Sequence, residues 1–197
     1  MHFTKYIHGF CFKIALLSWF CVQAALGQTH IFIDYKVNAC VNDEGLEGVF
    51  VNWTFDAAYS RHILKESDAD NNMILNKDEQ AACFNTFTKD YGKNDYFTVI
   101  KVDGKKHAVP APTDFFARIS TGNNLVSYTF FIPLKLNLSE KKQVEVQVYF
   151  FDPAIYISFT ILPEDASVQN KSQRNDVSVS LKKVKNINCP TFLLKVR

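Results

Sequence analysis

From His30 onward the chain alternates apolar and polar residues with period two over most of its length, and this restricts it to sheet architectures with one buried face. Ile31, Ile33, Tyr35 and Val37 share one face of a first strand, and Val49, Val51, Trp53 and Phe55 share one face of a second. Asn42-Asp43-Glu44-Gly45 between them reads as a hairpin turn. Further strands are predicted at Tyr96–Val102, Lys105–Val109, Phe115–Ser120, Leu125–Leu134, Gln143–Phe151, Tyr156–Leu162, Val177–Val184 and Thr191–Val196. Turn signals such as Asp103-Gly104 and Gly122-Asn123-Asn124 separate them, and the polar stretch Pro163–Asp176 reads as an exposed loop. So many short strands predict a mainly β fold, an antiparallel β-sandwich or open barrel. Phe contributes 18 of the 197 residues, so the core is expected to be largely aromatic. Trp53, Phe55, Phe150 and Phe151 are its expected members.

The first thirty residues follow another rule. Lys5 and Lys13 precede an apolar run from Ile14 to Phe20, and small residues end at Ala24-Ala25-Leu26-Gly27. This is the layout of a secretory signal, expected to occupy residues 1–27 and leave a single domain at 28–197. The apolar run is shorter than a bilayer span requires and no longer one follows, so no intrinsic membrane span is expected after cleavage. Removing Lys5 and Lys13 would leave 20 basic and 20 acidic residues. A balanced chain has no basic field for a phosphate backbone, so no nucleic-acid partner is expected. Cleavage would also remove Cys11 and Cys21, leaving Cys40, Cys83 and Cys189. In an oxidising compartment a Cys40–Cys189 disulfide is expected with Cys83 as a buried thiol; three unpaired thiols are the alternative.

Between about residues 56 and 91 the period changes from two to that of a helix. Tyr59 and Ile63 lie one turn apart, and Cys83, Phe84, Phe87 and Tyr91 form an apolar stripe. Two helices are therefore predicted around the loop Asp68–Glu79, with Asp56 suited to cap the first. Against the twelve-residue calcium loop, Asp68, Asp70, Asn72, Asn76 and Glu79 supply side-chain oxygens at positions 1, 3, 5, 9 and 12. Ile74 supplies a backbone carbonyl at position 7, and Leu75 is placed to pack inward. The spacing suits Ca²⁺, which takes six to eight oxygens and can draw two from a final Glu. Met73 stands at position 6, where the sharp turn normally requires Gly.

Several patterns coincide in order along the chain: His30-Ile31-Phe32-Ile33-Asp34, Trp53-Thr54-Phe55-Asp56, the calcium-type loop, Asp95-Tyr96-Phe97, Val102-Asp103-Gly104-Lys105, and Tyr149-Phe150-Phe151-Asp152-Pro153. As a set they resemble a bacterial family of unknown function described as periplasmic components of an ABC-type transport system with an EF-hand-like loop. The resemblance implies localisation in the periplasm, a membrane permease of nickel/cobalt type as partner, and a non-enzymatic accessory role in transition-metal handling. The family commonly begins its mature chain with His-Pro-His, where this sequence has Gln28-Thr29-His30. His30 is thus the candidate ligand for Ni²⁺, Co²⁺ or Zn²⁺, ions that imidazole suits. Two other readings stand beside this one: an interaction module stabilised by Ca²⁺ without transition-metal binding, and an exported enzyme of unknown reaction. No Gly-x-Ser-x-Gly elbow, phosphate-cradling Gly-rich loop, Cys-x-x-Cys or His-Glu-x-x-His pattern is present.

Overall fold

The structure, a computed structural model, describes residues 30–138 and 142–197. The expected signal segment 1–27 lies outside the described residues, as do Gln28 and Thr29. The alternating segments form eleven strands: β1 (Ile31–Val41), β2 (Gly45–Phe55), β3 (Thr98–Val102), β4 (Lys105–His107), β5 (Thr113–Ile119), β6 (Val126–Asn137), β7 (Gln143–Phe150), β8 (Ile157–Thr160), β9 (Ala166–Asn170), β10 (Asn175–Val184) and β11 (Ile187–Val196). One sheet runs β5-β6-β2-β1 and then β8, with β9 also on β1; the second runs β10-β11-β7-β3-β4. The architecture is sandwich-like, without a closed barrel. Two helices, α1 (Ala57–Ser67) and α2 (Lys77–Tyr91), interrupt the strands between β2 and β3.

The two inner faces meet in an aromatic core centred on Trp53. Its ring stands edge-on to Phe130 at 5.1 Å and Phe150 at 5.2 Å, with interplanar angles of 88° and 86°. Such edge-to-face contacts add to the area each ring buries. The Trp53 Nε1 proton has no hydrogen-bond acceptor among the described residues, and the indole is surrounded by these rings. Phe87 of α2 reaches the same cluster, 6.0 Å from Trp53 and 5.0 Å from Phe130, so the helical insertion is packed onto the sandwich.

Five expectations need correction. First, the stretch expected as loop at Pro163–Asp176 contains β9 and the start of β10. Ala166 is buried and Val168 packs partly against the core, but an alternation of only two apolar residues among Ser167, Gln169 and Asn170 is too short to read as a strand. Second, the sheet containing β1 is mixed: β8 and β9 pair parallel to β1, at Ile31–Asp34 and Val37–Val41 respectively. They lie end to end as one edge strand broken by a 3₁₀ turn at Pro163–Asp165. Third, Phe151 is 45% exposed, because the strand parity that buries Phe150 turns its neighbour outward. Fourth, Phe84 is half-exposed beside Phe115, since the buried helix face follows four-residue steps through Glu79, Cys83, Phe87 and Tyr91.

The fifth correction concerns the expected disulfide. Cys40 and Cys189 are free thiols, as is Cys83. In β1 the odd positions Tyr35, Val37 and Ala39 face the core, which sends Cys40 outward, where its thiol reaches Gln169 Oε1 at 3.8 Å. In β11 the core positions are Phe192 and Leu194, so Cys189 also faces outward from the opposite sheet. Stacked sheets stand about 10 Å apart, and outward residues on opposite sheets exceed the Cα separation a disulfide allows. Burial pushes the Cys189 thiol up to about 11, which keeps it protonated and unreactive at neutral pH.

Candidate metal centre

The site lies in the loop that joins the C-terminus of α1 to the N-terminus of α2, and the N-terminal cap of each helix holds the unit in place. Asp56 caps α1, accepting from Ala58 N at 2.8 Å and Tyr59 N at 2.9 Å, and also from Phe32 N at 2.8 Å. These donors outweigh partial burial and hold its carboxyl below the usual range. At the other end Asn76 caps α2 by accepting from Asp78 N and Glu79 N, while Glu79 accepts from Asn76 N at 2.9 Å. This is a reciprocal capping box, which fixes Glu79 at the mouth of the loop.

Three side-chain bridges set the position of this unit on the sandwich. Ser60 Oγ accepts from Val126 N at 2.9 Å and donates to Phe55 O, tying α1 to β2 and β6. The hydroxyls of Tyr59 and Tyr91 meet at 2.8 Å, joining α1 to α2. Gln80 pairs with both backbone groups of Ala117, accepting from its N–H at 2.7 Å and donating to its carbonyl at 2.5 Å. The amide of Gln80 thus continues the sheet's hydrogen bonding from β5 into α2. Sequence reasoning missed Ser60 and Gln80, because a Ser or Gln in a helix carries no signal of what it will reach.

Within the loop, Asp68 Oδ1 accepts from Asn72 N at 3.2 Å and Oδ2 from Met73 N at 3.1 Å. Asp70 accepts from Asn72 N at 3.1 Å, and Glu79 Oε1 accepts from Ala69 N at 2.8 Å. Met73 has φ of 63°, so it adopts the left-handed turn that the loop requires at this position although it is not Gly. The result is that one carboxylate oxygen each from Asp68, Asp70 and Glu79 lies within 4.8 Å of the others. Asp68 and Glu79 are buried at 4% and 5% exposure, while Asp70 opens to solvent. An open concavity of about 470 Å³ adjoins them, lined also by Glu66, Asn76 and Asp78.

Of the six expected loop ligands, the three carboxylates, Asp68, Asp70 and Glu79, converge. The Oδ1 of Asn76 is committed to capping two N–H groups, which uses both of its lone pairs. The Oδ1 of Asn72 accepts from Ile74 N at 2.7 Å and its amide donates to Asp70. The Ile74 side chain is exposed, and Leu75 packs partly against the core. The donor set is all oxygen and carries three carboxylates, which fits a hard divalent cation. Like charges this close repel, and a doubly charged ion offsets that repulsion.

His30 is elsewhere. It is exposed at the start of β1, with Nε2 at 2.7 Å from Ser158 Oγ and its ring tilted on Phe32 at 4.8 Å. Among the described residues, the group of three His, Cys, Asp or Glu ligands that converges is Asp68, Asp70 and Glu79, and His30 is not in it. His62 is exposed on α1 against Tyr59, and Asp34 lies on the exposed face of β1. Asp152 is buried, accepting from Ala154 N, Tyr156 N and Ile157 N, so it organises the turn into β8.

Comparison with known proteins adds a family. The model of a protein family of unknown function, DUF1007, matches residues 14–186. The chain belongs to this family. An uncharacterised 15.5 kDa protein from the trpE 3′ region of Spirochaeta aurantia is 39% identical over 64 residues, covering 31% of this chain. The match spans 44% of that relative's length, less than half of it. The DUF1007 chain has no helix among its described residues that is long and apolar enough to cross a membrane.

Proposed function

We propose that this DUF1007 protein is a non-enzymatic calcium-binding accessory, exported to the periplasm, whose helix-loop-helix takes Ca²⁺ through Asp68, Asp70 and Glu79. The observation that carries the reading is the convergence of these three carboxylates within 4.8 Å in a loop whose sixth residue takes the left-handed turn. Ile74 occupies the loop position whose backbone carbonyl would add a further oxygen. The resemblance in sequence to periplasmic transport components supports a place beside a transition-metal permease of nickel, cobalt or zinc type. The isolation of His30 from other ligands favours a role in which Ca²⁺ stabilises a partner-docking domain rather than one in which the domain carries a transition metal.

Calorimetric titration of the purified protein with Ca²⁺, Ni²⁺, Co²⁺ and Zn²⁺ tests this. Saturable Ca²⁺ binding is expected in the parent and its loss in Glu79→Gln, which keeps a capping oxygen but removes a charge. An absence of Ca²⁺ binding by the parent, or equal binding by Glu79→Gln, contradicts the calcium assignment. Transition-metal binding abolished by His30→Ala would instead identify a metal carrier.

A further inference from the structure

Three of the sheet edges are blunted in ways that resist strand addition. The β4 edge is three residues long and carries Lys105 and Lys106. The β5 edge is bulged between Thr113 and Phe116, with Asp114 at φ of 52°. The β8 and β9 edge is broken by Pro163. Such devices prevent edge-to-edge association. The β10 edge carries Lys182 and Lys183 at one end and runs close to β9, but it is neither short, bulged nor broken: all ten residues from Asn175 to Val184 pair in unbroken register with β11, and none is Pro or Gly.

The sequence of β10 is also complementary to itself. From Asp176 to Lys182 it reads Asp-Val-Ser-Val-Ser-Leu-Lys, symmetric in character about Val179 and opposite in charge at its two ends. Val177, Val179 and Leu181 are half-buried and pack against the core, whereas Asp176, Ser178, Ser180 and Lys182 face outward and are exposed. When two copies of such a strand pair antiparallel about Val179, residues opposite each other share a face, as antiparallel pairing requires.

We propose that β10 is a homodimerisation edge that takes a second copy of this chain in antiparallel register, Asp176 opposite Lys182 at both ends. In this register Ser178 faces Ser180, Val177 faces Leu181, and Val179 faces its own counterpart. Each matched pair of this kind is favourable across a sheet, and the two-fold repeats it. The opposed charges join ion pairs already present, Arg197 with Asp176 at 2.6 Å and Lys182 with Glu145 at 2.6 Å, into one alternating row along the outer face. The paired span Asp176–Lys182 stops short of Asn175, whose amide donates to the carbonyls of Asn42 and Asp43. Two five-stranded sheets become one continuous sheet.

Sedimentation velocity of the purified protein over a dilution series, beside Asp176→Lys and Lys182→Asp, tests the proposal. The parent is expected at twice the chain mass. Each reversal places like charges opposite each other twice and is expected to sediment as a single chain. An equimolar mixture of the two reversals restores both opposite-charge contacts and is expected to regain the doubled mass, which also shows that each variant has kept its fold. A parent that remains a single chain at every concentration overturns the proposal, as does a dimer untouched by both reversals. Failure of the mixture to re-associate, with both variants folded by circular dichroism, overturns the register.

Discussion

At the scale of single residues, Met73 is the point where the chain pays most visibly for its loop. Its φ of 63° costs a residue bearing a Cβ roughly 1–2 kcal/mol. A β-branched residue fits that region worst, because its second γ substituent crowds the backbone. Met73→Ile is therefore expected to lower stability by about 1 kcal/mol or more, although its size and polarity barely change. Met73→Gly is expected to stay within a few tenths of a kcal/mol of the parent, relief of strain being offset by the backbone entropy of Gly. Urea unfolding of the two variants checks the contrast; equal loss in both would show that the Met73 side chain, not its backbone conformation, matters. The substitution at position 6 was readable in the sequence, and so was the conformation it would have to adopt. What the sequence could not show is that Asn72 and Asn76 would spend their oxygens on loop and helix N–H groups, since that depends on the local backbone path.

At the scale of elements, the start of α1 was legible because its capping residue advertises itself. Asp56 precedes α1 and accepts from the N–H groups that follow it, whereas Asn76, which caps α2, reads in the sequence as a loop ligand. The strands that alternate strictly were equally clear. The stretch that became β9 was not, because a parallel edge strand with one buried side chain is polar along most of its length. The expected Cys40–Cys189 bridge fails on parity, since the period-two pattern that turns Ala39 and Phe192 toward the core turns both cysteines the other way. Asp56 links β1 to α1, and its lowered carboxyl pKa makes a prediction with a definite sign. A carboxyl depressed in the folded state stabilises above its unfolded pKa, near 3.9, and that contribution is lost as pH falls through the folded value. Asp56→Asn should therefore be less stable than the parent at neutral pH, and the gap should close on acidification below about pH 4. Urea midpoints measured at several pH values test this; a gap that persists undiminished in acid would mean that Asp56 acts by packing alone.

At the scale of the whole molecule, the sandwich is a platform on which one acidic loop is held in a fixed place. The aromatic core reaches from Trp53 through Phe87 into α2, Gln80 and Ser60 tie the helices to the sheets, and the Tyr59–Tyr91 pair ties the helices to each other. Asp68 and Glu79 are consequently buried neighbours, so a cation bound as proposed would couple its binding to the stability of the fold. A cation that binds only the folded chain raises its stability by an amount that grows with the logarithm of its concentration. The most direct measurement is the melting temperature of the purified protein with excess Ca²⁺ and with chelator, compared across the parent, Asp68→Asn and Glu79→Gln. A Ca²⁺-dependent rise in the parent that disappears in both variants is the predicted result. A parent whose melting temperature ignores Ca²⁺, or a rise of equal size in all three proteins, would contradict the assignment of this loop as a calcium site.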